Sequence, residues 1–373
     1  MHTTTTLLNK PASLLAGLAL VLTPLLLPVT AFGQGCMATR VSPPTLGGRE
    51  ESLGLKPGQM EFSMSYRFYE AERHFYDDNE EIVPANAPRV VRNVLDLSLT
   101  RGLTDRTSVT VSLPIQSGRF DRRPIPPYGA SVDKATGIGD MAVTVRRWML
   151  DSTTHPKYNI RLGVGLKLPT GKFDAETDRT YNTAPRTSPT ATYVSGRGPA
   201  DIAIQPGDGG FGIILGAEGF YMLGDKTSAY GELTYLVNPR GTNGMNNQWS
   251  GPGPYVPNND TSVPDYFLGR AGFTFADPAG WKRGTALLGL RIEGQPVRDV
   301  VGSNAGFRRP GFSLSVEPGV AYSFSKINVF LTVPVTIFRQ RWKSVDEQRA
   351  GRVNAVSAAF ADYNIIAGMS YRW

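Results

Sequence analysis

The sequence predicts an all-β protein: a transmembrane antiparallel up-and-down β-barrel of about twelve strands, with short periplasmic turns and long extracellular loops. Three observations carry that prediction. Segment after segment alternates apolar and polar side chains with a period of two, over lengths near the roughly 9–11 residues that a tilted strand needs to cross a bilayer. The connections between segments alternate short and long. No apolar run after residue 33 is long enough for a membrane helix, and the mean hydropathy is −0.21, which excludes a helical bundle in a bilayer.

Residues 1–33 read as a secretory signal peptide. His2 and Lys10 precede the apolar stretch 14–22, and Pro24, Pro28, Ala31 and Gly33 lead to a cut expected near Gly33 or Gly35. Residues 34–57 form a polar periplasmic lead and residues 58–373 the barrel. The single cysteine, Cys36, allows no intramolecular disulfide and reads as a free thiol, because Gly33-Gln-Gly35 is a poor context for lipid anchoring. The net charge of +7 is spread along the chain. Scattered basic residues on an exported chain argue against nucleic acid and suit lipopolysaccharide and outer-membrane lipid.

The first alternating segment sets Met60, Phe62, Met64, Tyr66 and Phe68 against Glu61, Ser63, Ser65 and Arg67. Leu95, Leu97 and Leu99 then oppose Asp96 and Ser98, Val109, Val111, Leu113 and Ile115 oppose Thr110 and Ser112, and Met141, Val143 and Val145 oppose Asp140, Thr144 and Arg146. The cleanest alternation, over 158–168, sets Ile160, Leu162, Val164 and Leu166 against Arg161, Gly163, Gly165 and Lys167. The next two place Ile213, Leu215, Ala217 and Tyr221 opposite Glu218, and Leu233 and Tyr235 opposite Glu232. Four more follow, over 267–275, 286–293, 312–322 and 328–337, before the last strand, 363–373. In a barrel the apolar face meets lipid and the polar face the lumen.

Short connections are expected at 101–106, 150–157, 223–226, 276–284 and 323–326. Long ones are expected at about 70–88, 116–137, 169–209, 238–264, 295–309 and 339–357. With both termini periplasmic, outward Tyr221, Phe275, Tyr322, Tyr371 and Trp373 form one aromatic girdle, and Phe68, Phe211, Tyr235, Phe267 and Phe312 the other. Pro318 and Pro334 fall inside strands, where each removes a ladder donor, and are expected at local bulges.

By parity the lumen face holds the carboxylates Glu61, Asp96, Asp140, Glu218, Glu232, Glu293 and Glu317 and the cations Arg67, Arg92, Arg146, Arg161, Lys167, Arg270, Arg291 and Arg372. Two readings are open. The charges either pair across strands and simply fill the lumen, or line a narrow conduit whose field orients a permeant. Enzymatic chemistry has little to stand on. Past residue 33 the histidines are His74, in the expected first outer loop near Asp77 and Asp78, and His155, in a periplasmic turn. Neither these nor the single cysteine build a transition-metal site, and no cofactor is expected. Gly137-Ile-Gly-Asp140 is not followed by a helix that would present phosphate-binding amides, so it reads as a strand entry.

The last strand ends on its own aromatic residue, and Gly368, Tyr371 and Trp373 together resemble the carboxy-terminal signal by which outer-membrane barrels engage the barrel-assembly machinery. Gly102-Leu-Thr-Asp-Arg106 with Ser112-Leu-Pro114, Gly137-Ile-Gly-Asp140, Lys167-Leu-Pro-Thr-Gly171 and Gly207-Asp-Gly-Gly210 resemble the outer-membrane proteins of the MetA-pathway of phenol degradation family, across roughly residues 58–373. That resemblance implies a transporter-like barrel admitting hydrophobic or aromatic small molecules. The expected function is thus passive uptake or efflux of a small solute through a barrel in the bacterial outer membrane, gated or plugged by the loop at 169–209. A closed structural or adhesive barrel is the alternative, and a surface-loop hydrolase a remoter one.

Overall fold

The structure, a computed structural model, describes residues 54–81, 88–122, 131–182, 193–246 and 260–373. The expected signal peptide, Cys36 and most of the lead lie outside these residues. Twelve antiparallel barrel strands follow one another around a closed wall. They are β1 (Met60–Tyr76), β2 (Arg89–Gly102), β3 (Thr107–Arg122), β4 in two segments (Ser131–Ile138 and Met141–Trp148), β5 (Tyr158–Leu168), β6 (Gly212–Met222), β7 (Thr227–Val237), β8 (Tyr266–Ala276), β9 (Gly284–Gln295), β10 (Gly311–Phe324), β11 in two segments (Ile327–Thr332 and Val335–Arg341) and β12 (Ala358–Arg372). The wall closes where β12 pairs with β1, from Glu61↔Arg372 to Phe75↔Ala358. Closure leaves no strand edge with unpaired backbone groups to desolvate.

The two faces of the wall differ as the alternation requires. Outward residues such as Val164 (55% exposed), Leu233 (62%) and Leu288 (52%) have no protein to pack on, whereas inward Lys167, Arg270 and Glu317 are buried. Such a continuous apolar exterior is costly in water and favourable in hydrocarbon. Its ends carry aromatic pairs, stacked at the termini side and tilted at the far side. At the termini side Tyr371 lies 5.5 Å from Trp373 and Tyr158 6.1 Å from Tyr221, and at the far side Phe312 sits 5.5 Å from Trp342.

Several strands run farther than the alternation reaches. β1 continues through Glu70, Glu72 and Arg73 to Tyr76, and β3 and β4 extend as a hairpin through 116–122 and 131–138, where a long loop was expected. Beyond the lipid both faces of a strand meet water or loops, so the two-residue pattern has no reason to persist. The stretch 339–357 likewise contains the end of β11 and a short helix, α1 (Val345–Arg349), begun by a capping box between Ser344 and Glu347.

The prolines act differently from one another. Pro318 sits on the exposed face of an unbroken β10, opposite Leu288. Pro334 interrupts the bonding of β11, yet the register with β10 is the same before and after it, and the shift comes instead between Leu314 and Ser315 of β10. β4 has a true change of register. Ile115 pairs with Ile138 and Ser112 with Ala142, so one extra residue is absorbed at Gly139 and Asp140, which turns Asp140 into the barrel.

Candidate functional site

The inward charges sort into groups, each spanning neighbouring strands. Nearest the termini, Glu61 of β1 bonds Arg372 of β12. Arg146 of β4 and Arg161 of β5 converge on Glu218 of β6, Arg161 through a direct bond and Arg146 at 4.0 Å. Arg67 of β1 reaches Asp96 of β2 at 3.1 Å. On the opposite wall a chain crosses four strands. Glu232 accepts from Arg270 at 3.0 Å, Arg270 donates to Glu317 at 2.7 Å, Arg291 lies 3.7 Å from Glu317, and Arg291 donates to Glu293 at 2.9 Å. Removing one member of such a buried group strands its partner, at a cost of about 3–5 kcal/mol.

Arg92, Asp140 and Lys167 take partners that inward parity does not reveal, because those partners lie on a loop. Residues 200–210, between a short outer hairpin (Glu176–Asn182 with Tyr193–Pro199) and β6, are buried throughout and lie against the inner faces of β2 to β5. Arg92 donates to the carbonyl of Ala203 and to Gln116, and the Gln116 amide donates to Pro206 O at 2.8 Å. Asp133 accepts the Asp201 amide at 3.1 Å. Lys167 holds the carboxylate of Asp208, and Asp140 stands 3.8 Å from the same ammonium. Asp140 also accepts the backbone amides of Asp208 and Gly171, each at 3.0 Å. Arg309, from the loop before β10, grips Asp201 with two nitrogens at 3.0 and 3.1 Å. An apolar contact completes the seat, with Ile204 packed among Val90, Phe120 and Ala135.

This arrangement explains three strings that sequence reading treated separately. Gly137-Ile-Gly-Asp140, Lys167-Leu-Pro-Thr-Gly171 and Gly207-Asp-Gly-Gly210 meet at one point. A Cβ on Gly207 would stand 2.4 Å from the Gly171 carbonyl oxygen, and one on Gly171 2.7 Å from the backbone of Gly139. Three backbones therefore cross in contact, which only glycine permits. Gly118 has the same role on β3, where a Cβ would lie 2.6 Å from Ile204.

Other loops cover the same end of the barrel. Arg308, fully buried, clamps Asp299 at 2.9 and 2.6 Å, and Arg341 donates to Glu347 of α1 at 3.2 and 3.1 Å. Asp265 accepts the amides of Asn238 and Val300, and its burial raises its carboxyl above the usual range. At the opposite end the lumen is open as a cavity of about 90 Å³, lined by Ser63, Ser98, Thr110, Arg146, Trp148, Arg161, Phe330 and Arg372 among others. Leu55 folds over its rim against Gly102, whose missing side chain leaves room for the chain to cross.

Of the two histidines, His74 departs from the expected setting and His155 lies in the expected turn. His74 is on β1 and not in a loop; it is buried, with its Nε2 2.7 Å from the Pro88 carbonyl. His155, in the turn before β5, contacts Thr154. Among the described residues no group of histidine, cysteine and carboxylates forms a metal cluster. The assembly residues lie together on β12. Tyr371 and Trp373 are exposed on the outer wall, and Gly368 lies where a Cβ would come within 2.7 Å of both Met64 O and the Phe330 ring.

No family model and no curated protein matches the chain. Among solved structures, an outer membrane channel from Pseudomonas putida F1 superposes with a TM-score of 0.55 at 13% identity, covering 90% of this chain and all of that one. The monoaromatic hydrocarbon channel CymD gives 0.44 at 11% identity, over 92% and 98% of the two chains. A Pseudomonas aeruginosa FadL homologue gives 0.39 at 9%, over 85% and 90%. The first likeness is one of fold, and it makes this barrel an outer-membrane β-barrel in architecture. The narrower resemblance to the MetA-pathway family has no matching family model behind it.

Proposed function

We propose that the protein is a channel of the bacterial outer membrane that passes a small solute passively and is here in a plugged conformation. One observation carries this reading: the loop 200–210 lies inside the barrel wall and fills the lumen mainly through polar contacts, while a cavity remains at the termini end. Residues 200–210 are held by hydrogen bonds and ion pairs from β2 to β5, which water can replace one by one as the loop leaves. Hydrophobic or aromatic compounds are the permeant class that the MetA-like strings imply. Lipid and lipopolysaccharide around the wall, and the assembly machinery acting on Gly368, Tyr371 and Trp373, are the partners this reading entails.

A closed barrel with a structural or adhesive role is the second reading, favoured by the pairing of the lumen charges. Single-channel conductance separates the two. The protein with residues 201–209 replaced by a short Gly-Ser link should give discrete steps, and the intact protein rare or smaller ones. Silence from both, with the folded barrel verified by its slower migration after boiling, would remove the channel reading.

A further inference from the structure

On the outer surface of the wall, at the termini side, a group of aromatic rings forms where two turns meet, 276–284 between β8 and β9 and 323–326 between β10 and β11. The turns touch, since the Ser323 amide donates to the Arg283 carbonyl at 3.1 Å. Trp281 lies flat against the wall. A Cβ on Gly284 would stand 2.2 Å from its ring, and it stacks on Tyr322 with ring centres 5.5 Å apart. Tyr322 in turn meets Phe324 edge-on at 4.5 Å. Trp281 is 42% and Phe324 50% exposed, so this ladder of rings is turned away from the protein. Rings with an apolar body and a polar edge are most stable where hydrocarbon gives way to headgroups.

Three cations stand beside the ladder. Lys282 and Arg283 follow Trp281 in the chain, and Lys326 follows closely on Phe324, its carbonyl accepting from the Arg372 amide of β12 at 2.9 Å. All three side chains are exposed, and among the described residues none of them forms an ion pair. The one carboxylate in the two turns, Asp277, is engaged by Lys226 at 3.6 Å and accepts the Arg283 backbone amide at 3.0 Å. Toward the middle of the wall, Ala286 of β9 lies between Phe275 and Val320 in the register, which leaves a shallow furrow running from the cations over apolar surface. Unmatched positive charges at headgroup level, above such a surface, complement a molecule with an anionic phosphate and hydrocarbon chains. A soluble polyanion would match the charges but not the rings.

We propose that these two turns form a binding site for an anionic glycerophospholipid, with the headgroup phosphate held by Lys282, Arg283 and Lys326, the glycerol region against Trp281 and Tyr322, and an acyl chain along Ala286. The site lies outside the wall and is independent of whether the lumen conducts. A lipid bound there ties the ends of β8 to β11 to the membrane surface, next to the strand that closes the barrel.

The test uses the purified protein in phosphatidylcholine vesicles that hold a small fraction of either phosphatidylglycerol or phosphatidylcholine with chains brominated near the headgroup end. Bromine quenches tryptophan at contact range, and the Trp281 share is the difference between the unaltered protein and Trp281→Phe. Brominated phosphatidylglycerol should quench that share as though enriched about tenfold over brominated phosphatidylcholine, and the enrichment should fall in high salt. The combined variant Lys282→Gln, Arg283→Gln and Lys326→Gln should abolish it while remaining heat-modifiable. Lys157→Gln, which removes an exposed cation from the β4–β5 turn, should leave it unchanged. Equal quenching by the two lipids in the unaltered protein would overturn the proposal, as would enrichment that survives in the folded triple variant. A loss with Lys157→Gln as large as with Lys326→Gln alone would overturn it too, since the attraction would then belong to the whole face.

Discussion

Asp208 is the residue on which the plug turns. Its carboxylate faces the Lys167 ammonium and its backbone amide is bonded to Asp140, so Asp208→Asn removes charge from the contact while keeping shape. Lys167 then retains only Asp140 at 3.8 Å. Loss of a buried partner of this kind costs about 3 kcal/mol, which corresponds to roughly a hundredfold rise in the open fraction if the loop leaves as a unit. Open probability in planar bilayers measures it, and an unchanged value would show that the other contacts hold the loop. Sequence parity located Asp140 and Lys167 on the inner face but gave no sign of Asp208, Asp201 or Asp133 acting with them. A loop residue has no periodicity to read, and the bulge that turns Asp140 inward follows from a mismatch of registers on two strands.

At the scale of elements, the outer end of β1 shows what lies beyond the lipid. Arg73 donates to both oxygens of Glu80, at 2.7 and 2.6 Å, and the pairing holds the Glu80 carboxyl below its usual range. A lowered carboxylate contributes stability above the unfolded-state value and loses it as pH falls through the folded one. The short strand Asn79–Glu81, paired to β1 through Phe75↔Glu80 and His74↔Glu81, should therefore lose amide protection, taken as the observed exchange rate against the intrinsic rate at the same pH, as pH drops below about 4. Both groups are well exposed to solvent, so the effect is small and should vanish in high salt. Persistence of full protection at acid pH would mean that the backbone pairing of this strand does not depend on the ion pair. The alternation of 158–168 marked β5 to the residue, while β1 and β3 overran their predicted ends, because the lipid enforces the pattern only over its own thickness.

For the whole molecule, closure is the property that matters. Strand β12 pairs with β1 along its length and with β11 chiefly through Ile327–Thr332, so the terminal strand bonds on both sides and completes the wall. Deleting Tyr371 to Trp373 takes away the partners of Phe62 and Ile327 together with the outward aromatic pair. The truncated protein should reach the outer membrane in much reduced amount, measured as the heat-modifiable folded fraction, and an undiminished fraction would argue against these residues as the assembly signal. The same closure makes the lumen a confined space in which most inward charges meet one of opposite sign. Groups such as Glu232–Arg270–Glu317–Arg291–Glu293 then form from residues on strands β7 to β10.

The sequence by itself determined the class of this protein, a barrel of about twelve strands with a greasy exterior and a charged interior, and which side chains share the inner face. Those properties are periodic, and a period is written locally along the chain. Only the tertiary structure decided which charges meet, where the register slips at Gly139 and Asp140, and that residues 200–210 descend into the lumen. Such contacts join residues far apart in sequence, and their strength comes from distance and desolvation inside a closed wall, which no single strand contains.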